Sequence, residues 1–472
     1  MIRHTDVLII GGGISGLSSA WWLAQKGIRS TILEQSYKTG GLIDTTNQDG
    51  YVTDHAAAMV LNFNSLVSKF MTHSGLLDYK INRNKISKRY VLKNSRLQQI
   101  PENIRGILFS DLFSLKTRLK LLSEPFRSRS HSDSETVADF IRRRLGQEIL
   151  DLAIDPYVSA VLACDPEKAC ARSTLPRLTA LEKNFGSFTA GIITKKFIPG
   201  KKGLPQEAFS FNGGMKTLTN MLSQNPLTDV HTGQQVLAIE PAKSGWRITS
   251  KVNNTEYQYL TKQVIFSTPA NVSSSLLKPV KTELAELLDQ IEYAPIAQIH
   301  MGFDKTGLNN SLDGNGFLVP SREKMAIRGS LWMSNLVNHR APENKILTSN
   351  FVGGGCQINA LKSSDDVLID QTLATLQKLT GIKQSPEMVR INRHHQGLPL
   401  YHGKYYQLSK AIESQASESN GLYFVSNFLN GISIRDRIIQ SKSVADKVCS
   451  NLSAQTHQTE SAVSVHAQRV MS

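Results

Sequence analysis

One segment constrains this chain more than any other. Asp6-Val-Leu-Ile-Ile-Gly11-Gly-Gly13-Ile-Ser-Gly16-Leu-Ser-Ser-Ala20 joins an apolar run, a glycine turn and a stretch of small residues. Four consecutive apolar residues at 7–10 read as a buried parallel strand. Gly11, Gly13 and Gly16 form G-x-G-x-x-G, leading into a helix with Ala20, Leu23 and Ala24. The first glycine permits the tight turn, the second a close backbone approach to a pyrophosphate, the third close helix–strand packing. Phosphates are expected at the helix N-terminus, where unpaired N–H groups and the dipole favour negative charge.

A second short strand, Ser30-Thr-Ile-Leu-Glu34, ends on a carboxylate eighteen residues after Gly16. That is where an acidic side chain accepts hydrogen bonds from an adenosine ribose. Gly40 and Gly41 follow, then Gly50-Tyr51-Val52-Thr53-Asp54. An acidic strand end followed by a Gly-Gly turn resembles the FAD-binding signature of the amine-oxidase-like flavoproteins, which implies FAD as cofactor. That family usually has Arg directly after the two glycines; here it is Leu42.

The resemblance implies a discontinuous cofactor domain, so later segments are expected to return to it. Ser210-Phe-Asn-Gly213-Gly214-Met215 opens one such return, followed by strands at Val236–Ile239 and Val264–Thr268. In the family a valine placed like Val236 offers its backbone to the adenine. Gly421-Leu-Tyr-Phe-Val-Ser-Asn427, with Gly431, Ser433 and Ile434 before a helix, resembles the motif that closes over the pyrophosphate and flavin ring. The expected fold is α/β plus α+β. A discontinuous Rossmann-like FAD-binding domain comprises 1–80, 206–274 and 416–450. A mainly helical domain with a basic surface spans 81–205, an α+β substrate domain 275–415, and a polar, disordered tail 451–472.

The formal net charge is +15. Residues 81–130 hold twelve basic and three acidic residues, so this segment supplies +9 of it. Such an excess favours an anionic partner. Leu108, Leu112, Leu115, Leu119 and Leu122 fall on one helical stripe flanked by Lys116, Arg118 and Lys120, a pattern suited to a helix lying in a membrane surface or packed on its own domain. Four scattered cysteines make neither a disulfide framework nor a zinc site, and no metal is expected. No apolar run is long enough to span a bilayer. The N-terminus enters a strand pattern at once, so no targeting peptide is expected, and the expected location is cytoplasmic, peripheral on the inner membrane. Aromatic residues are 7% with no nucleic-acid motif, so no nucleic-acid partner is expected.

Further stretches resemble the oxygen-dependent protoporphyrinogen oxidase family. They are Lys88-Arg89-Tyr90-Val91-Leu92 with Arg96-Leu97, Asp155-Pro-Tyr-Val-Ser with Asp165-Pro166, and Leu398-Pro-Leu-Tyr401-His402-Gly403. Most discriminating is a block running from Gly316-Phe317-Leu318 through Gly329-Ser-Leu331-Trp332 and Arg340-Ala341-Pro342 to Phe351-Val352-Gly353. The resemblance implies that Arg89 holds a propionate of a tetrapyrrole, that Leu318 and Leu331 clamp a pyrrole ring, and that Phe351 stacks on another. It implies oxidation of protoporphyrinogen IX to protoporphyrin IX with O2 as acceptor, and a homodimer. No protein residue is assigned to catalysis, and His55 stands as an assisting or merely structural imidazole. Ala56, Ala160 and Cys164 stand where the family has glycine, and Cys164 reads as a small buried hydrophobe. Coproporphyrinogen III oxidation, another amine-oxidase-like reaction, and a binding protein with structural FAD are the alternatives.

Overall fold

The computed structural model describes residues 2–85, 88–101, 106, 110–130, 132–197, 206–306 and 312–470. The apolar run ends the strand Ile2–Ile10, where Val7 to Ile10 are at most 3% exposed. A strand buried on both faces is what a continuous apolar run dictates. It lies parallel to Ser30–Leu33 on one side and Thr255–Phe266 on the other. Thr228–His231 and Leu422–Phe424 add further parallel strands. Two antiparallel strands, Gln235–Ala242 and Gly245–Val252, finish the sheet. Five parallel strands from three separate stretches of chain thus end along one edge, the edge at which open α/β sheets bind ligands.

The second sheet runs in the order Met388–Pro399, Tyr293–Asp304, Lys345–Gly353, Gly329–Trp332, Gly316–Leu318, Tyr90–Lys93, Arg96–Gln99. Ile299, Phe317, Trp332 and Val352 bury its outer face, together with Leu368 and Leu376 of the helix Asp365–Thr380. The last two strands depart from the expectation that 81–205 is mainly helical. Asn94 and Ser95 both take left-handed backbone, with φ of 50° and 62°. Two such residues make the tight turn whose twist matches a hairpin, and the hairpin extends the second sheet instead of joining the helices.

The helical region packs on a buried charge network. Arg144 is fully buried against Glu124, which also accepts the backbone N–H groups of Phe188 and Thr189 at 2.9 and 3.1 Å. The expected leucine stripe is broken. Leu108 lies outside the described residues, Leu112 is buried, and the helix begins only at Leu115, where Ser114 Oγ accepts the Thr117 N–H. Leu115, Leu119 and Leu122 are left 73%, 67% and 63% exposed. The closing helix spans Ile434–Val470 and runs through 451–470, which the sequence reading leaves disordered. Extending a formed helix costs far less than nucleating one, and the segment contains neither Gly nor Pro to stop it. No helix among the described residues is long and apolar enough to cross a membrane.

Candidate cofactor cradle and apolar wall

The glycine turn is built as its spacing requires. A Cβ at Gly16 would sit 2.1 Å from the Gly11 carbonyl oxygen, so the helix Ile14–Ala24 seats on the strand only because Gly16 has none. At Gly13 the nearest atom to a Cβ would be Gly41 Cα at 3.9 Å, leaving the backbone open to approach. That helix has no side-chain cap and no acidic residue in its first turn. Its first N–H groups are therefore available to an anion. Gly40 N–H donates to Gly12 O at 2.8 Å, which brings Gly40 and Gly41 against the turn.

Glu34 is 7% exposed and accepts Gly12 N–H at 2.6 Å and Ser36 N–H at 2.8 Å, one on each oxygen. Each carboxylate oxygen keeps a lone pair for a hydroxyl. Gly233 N–H and Gln234 N–H donate to Ser36 O and Glu34 O, both at 2.8 Å, which brings the segment leading to Val236 to the same end. At the other end, Phe424 pairs with Phe266 and Phe266 with Ile10. Asn427, Gly431, Ser433 and Ile434 follow that strand beyond the same sheet edge. Ser433 N–H reaches Asp436 Oδ2 at 3.3 Å, and Asp436 N–H reaches Ser433 Oγ at 3.1 Å. The sequence reading missed Arg437, which donates to the carbonyls of Ser426, Leu429 and Gly431 and so fixes the loop's shape. Burial pushes its guanidinium down to about 10. The donors, the open glycine backbone and the free carboxylate lone pairs fit a dinucleotide.

The second sheet turns its other face inward. Leu318, Gly329 and Phe351 stand opposite one another across three strands, and cross-strand partners point to one side. Leu331 lies one pleat along on the same side, between Gly316 and Ser349. Leu318, Leu331 and Phe351 are each half-buried, whereas Ser330, Asn350 and Phe317 behind them are at most 2% exposed. The result is a partly open apolar wall in which glycines alternate with large side chains. Sequence reasoning gave Gly316 and Gly329 no role. A Cβ on Gly329 would lie 3.0 Å from Phe317 O and 3.1 Å from Leu318 Cδ2, so this glycine keeps a notch between Leu318 and Phe351.

Arg89 sits at the margin of this wall. It precedes Tyr90, which pairs with Phe317, and alternation places it on the face of Leu318. It is exposed, and no acid partner is found for it among the described residues. Burial, and then the neighbouring Arg89 charge, lower Arg83 from its ordinary value. His55 is placed structurally: its Nε2 lies 2.8 Å from Thr46 Oγ1, and its carbonyl accepts His394 Nε2 at 2.6 Å. Burial lowers its pKa. Beside it, Asp54 Oδ1 accepts Met215 N–H at 2.8 Å while Oδ2 faces Arg340. Of the departures from the family pattern, Leu42 is 44% exposed and Cys164 fully buried, its thiol pushed up to about 12 by burial.

A family described as flavin containing amine oxidoreductase matches residues 14–449. Protoporphyrinogen oxidase 2, chloroplastic/mitochondrial, of Arabidopsis thaliana is 28% identical over 94% of both chains. Mitochondrial protoporphyrinogen oxidase of Nicotiana tabacum is 29% identical over 94% of this chain and 95% of its own. Coproporphyrinogen III oxidase of Bacillus subtilis is 27% identical over 93% and 96%. Among solved structures, an Exiguobacterium protein assigned provisionally as a protoporphyrinogen oxidase superposes with a TM-score of 0.79 at 22% identity, covering 96% of this chain and 99% of that one. Putrescine oxidase gives 0.72 at 13% identity, covering 95% and 100%. At these identities the structures speak to fold alone.

Proposed function

The chain belongs to the flavin-containing amine oxidoreductase family and is an oxidoreductase with FAD as its cofactor; from that premise we propose that it oxidises protoporphyrinogen IX to protoporphyrin IX. When bound, FAD would supply the redox chemistry, three successive two-electron oxidations that consume three O2 and release three H2O2. The protein's part is to bind, orient and keep out water. Glu34 takes the ribose, and Gly11, Gly13 and Gly16 with the following helix N-terminus take the pyrophosphate. Gly40 and Gly41 pass beside it, Val236 meets the adenine, and Asn427, Gly431, Ser433 and Ile434 close over the far end.

The observation that carries this reading is the apolar wall of Leu318, Leu331 and Phe351, left half open on a sheet buried behind, with Arg89 at its margin. A large apolar macrocycle needs such a wall. Its propionate needs a guanidinium, which pairs with a carboxylate bidentately. The names of the plant relatives support the same substrate. Coproporphyrinogen III is the second reading, favoured by Arg83 beside Arg89 and by the Bacillus relative. The test is to load the purified protein with FAD and follow porphyrin fluorescence and peroxide release under air, with each porphyrinogen side by side. No oxidation of either substrate would overturn the reading.

We also propose peripheral membrane contact through the helix Leu115–Leu122. Its three exposed leucines and Phe126, 90% exposed, form an apolar ridge with Lys116 exposed beside it. An apolar ridge flanked by cations suits the interface of an anionic bilayer.

A further inference from the structure

Phe63 is gripped by two cations. The Arg177 and Arg435 guanidinium carbons lie 3.9 and 4.0 Å from its ring centroid. The three residues come from distant parts of the chain. Phe63 follows the strand Val60–Asn62, Arg177 is the second residue of the helix Pro176–Phe185, and Arg435 the second of the closing helix. Tyr157, on the helix Asp155–Ala160, completes the group. Both arginines and Asp436 act electrostatically on its hydroxyl, although burial is the larger influence and raises it.

The charges here do not balance locally. Two guanidiniums gathered round one neutral ring repel each other. Asp436 pairs with Arg435 at 2.6 Å but is also committed to Ser433 N–H. No acid is paired with Arg177 among the described residues. The positive end of the closing helix adds to the excess. Two guanidiniums on one aromatic ring, with a phenol near enough to feel both charges, make a site for a carboxylate on an apolar arm.

Its position ties it to the wall. The helix bearing Tyr157 packs against the strand Gly316–Leu318. Asp155 at its start accepts Ser321 N–H at 2.6 Å and Ser321 Oγ at 2.7 Å, just past Leu318. Arg435 directly follows Ile434. The group therefore stands where the cofactor segment, the helical region and the wall converge. We propose that Arg177, Arg435 and Tyr157, organised on Phe63, hold a second carboxylate of the substrate, separate from the one given to Arg89. The inference rests on the porphyrinogen reading.

The test compares the holoenzyme with its Arg177→Gln and Arg177→Lys variants, using a porphyrinogen as the free acid and as its methyl ester. Wild type is assayed first, and failure there overturns the porphyrinogen reading before any variant is made. Given wild-type turnover, Arg177→Gln should raise KM for the free acid about tenfold, a loss of roughly 1.4 kcal/mol, with the effect falling on KM rather than kcat. KM for the ester should not move, because the ester has no carboxylate to lose. Arg177→Lys should recover part of the affinity at low salt, where a point charge still attracts. Equal shifts for acid and ester, or none for either, would overturn the proposal and leave the cluster as a clamp between regions.

Discussion

Arg340 Nη2 lies 3.0 Å from Asp54 Oδ2, and both side chains are only 1% exposed. This pair joins the end of the strand Tyr51–Asp54, in the cofactor region, to a loop of the region bearing the second sheet. Val52 N–H donates to Arg340 O at 3.1 Å alongside it. Removing one partner from a buried pair strands the other charge, at a cost of about 3–5 kcal/mol. Asp54→Asn keeps the acceptor for Met215 N–H but loses the charge, and should lower Tm by several degrees. Asp54→Asn combined with Arg340→Met should recover most of that loss, because no charge is left unpaired. Thermal melts of the three holoproteins decide it, and an equally unstable double variant would count against the pair.

His300 makes stability depend on pH. Burial pushes its imidazole down to about 3, and its Nδ1 lies 2.8 Å from Ser349 Oγ. In the folded protein it is neutral above that value, whereas the unfolded chain takes up a proton below about 6.5. Between those limits the unfolded state binds more protons, so stability falls as pH drops, by about 1.4 kcal/mol per unit from this group. His300→Gln should flatten the pH dependence of unfolding between about 4 and 6. An unchanged slope in urea titrations would show that other groups set it.

Two substitutions probe the wall by different means. Arg89→Gln removes a charge-assisted contact worth about 1.5–3 kcal/mol, so kcat/KM should fall about 10- to 100-fold. Gly329→Ala puts a methyl 3.0 Å from Phe317 O, in the notch between Leu318 and Phe351. Overpacking of about 1–2 kcal/mol should cost roughly tenfold in kcat/KM, without any dependence on substrate carboxylates. Steady-state kinetics with free acid and ester separate the two, since only the Arg89 variant should lose part of its preference for the free acid over the ester.

The leucine ridge makes a prediction outside the active site. Leu119→Ser with Phe126→Ser removes two side chains that are 67% and 90% exposed. At roughly 1.5–3 kcal/mol for each side chain buried in the interface, binding to anionic vesicles should fall at least tenfold. Turnover of soluble substrate should persist. Sedimentation with phosphatidylserine-containing vesicles measures it, and undiminished binding would locate the contact elsewhere.

How much of this was legible beforehand differs between the two halves of the site. The cradle could be read because each of its glycines answers a local backbone demand and Glu34 ends a strand at a set distance. The wall was legible only as a resemblance. Leu318, Leu331 and Phe351 have no periodicity that separates them from core residues, and their common face follows from strand pairing that no single segment encodes. Asp54 and Arg340 were unreadable for the same reason, since 286 positions separate them and each looks like a surface charge in sequence. The hairpin at 90–99 did carry a signal. Asn94 tolerates left-handed backbone and sits between two short strands, but the signal is weak because no glycine follows it.

The pairing of Ile10 with Phe266, and of Phe266 with Phe424, has a consequence for synthesis. The first wall of the cradle, Ile2–Ile10, is made more than four hundred residues before Leu422–Phe424, the last strand of the parallel set. FAD therefore cannot be fully enclosed until that late strand has been made, and contacts so distant in sequence form slowly. Since a ligand that binds only the folded state stabilises it by mass action, the newly released polypeptide competes for free FAD against aggregation and proteolysis. Cellular flavin supply would then set how much of this protein survives, quite apart from how fast each surviving molecule turns over.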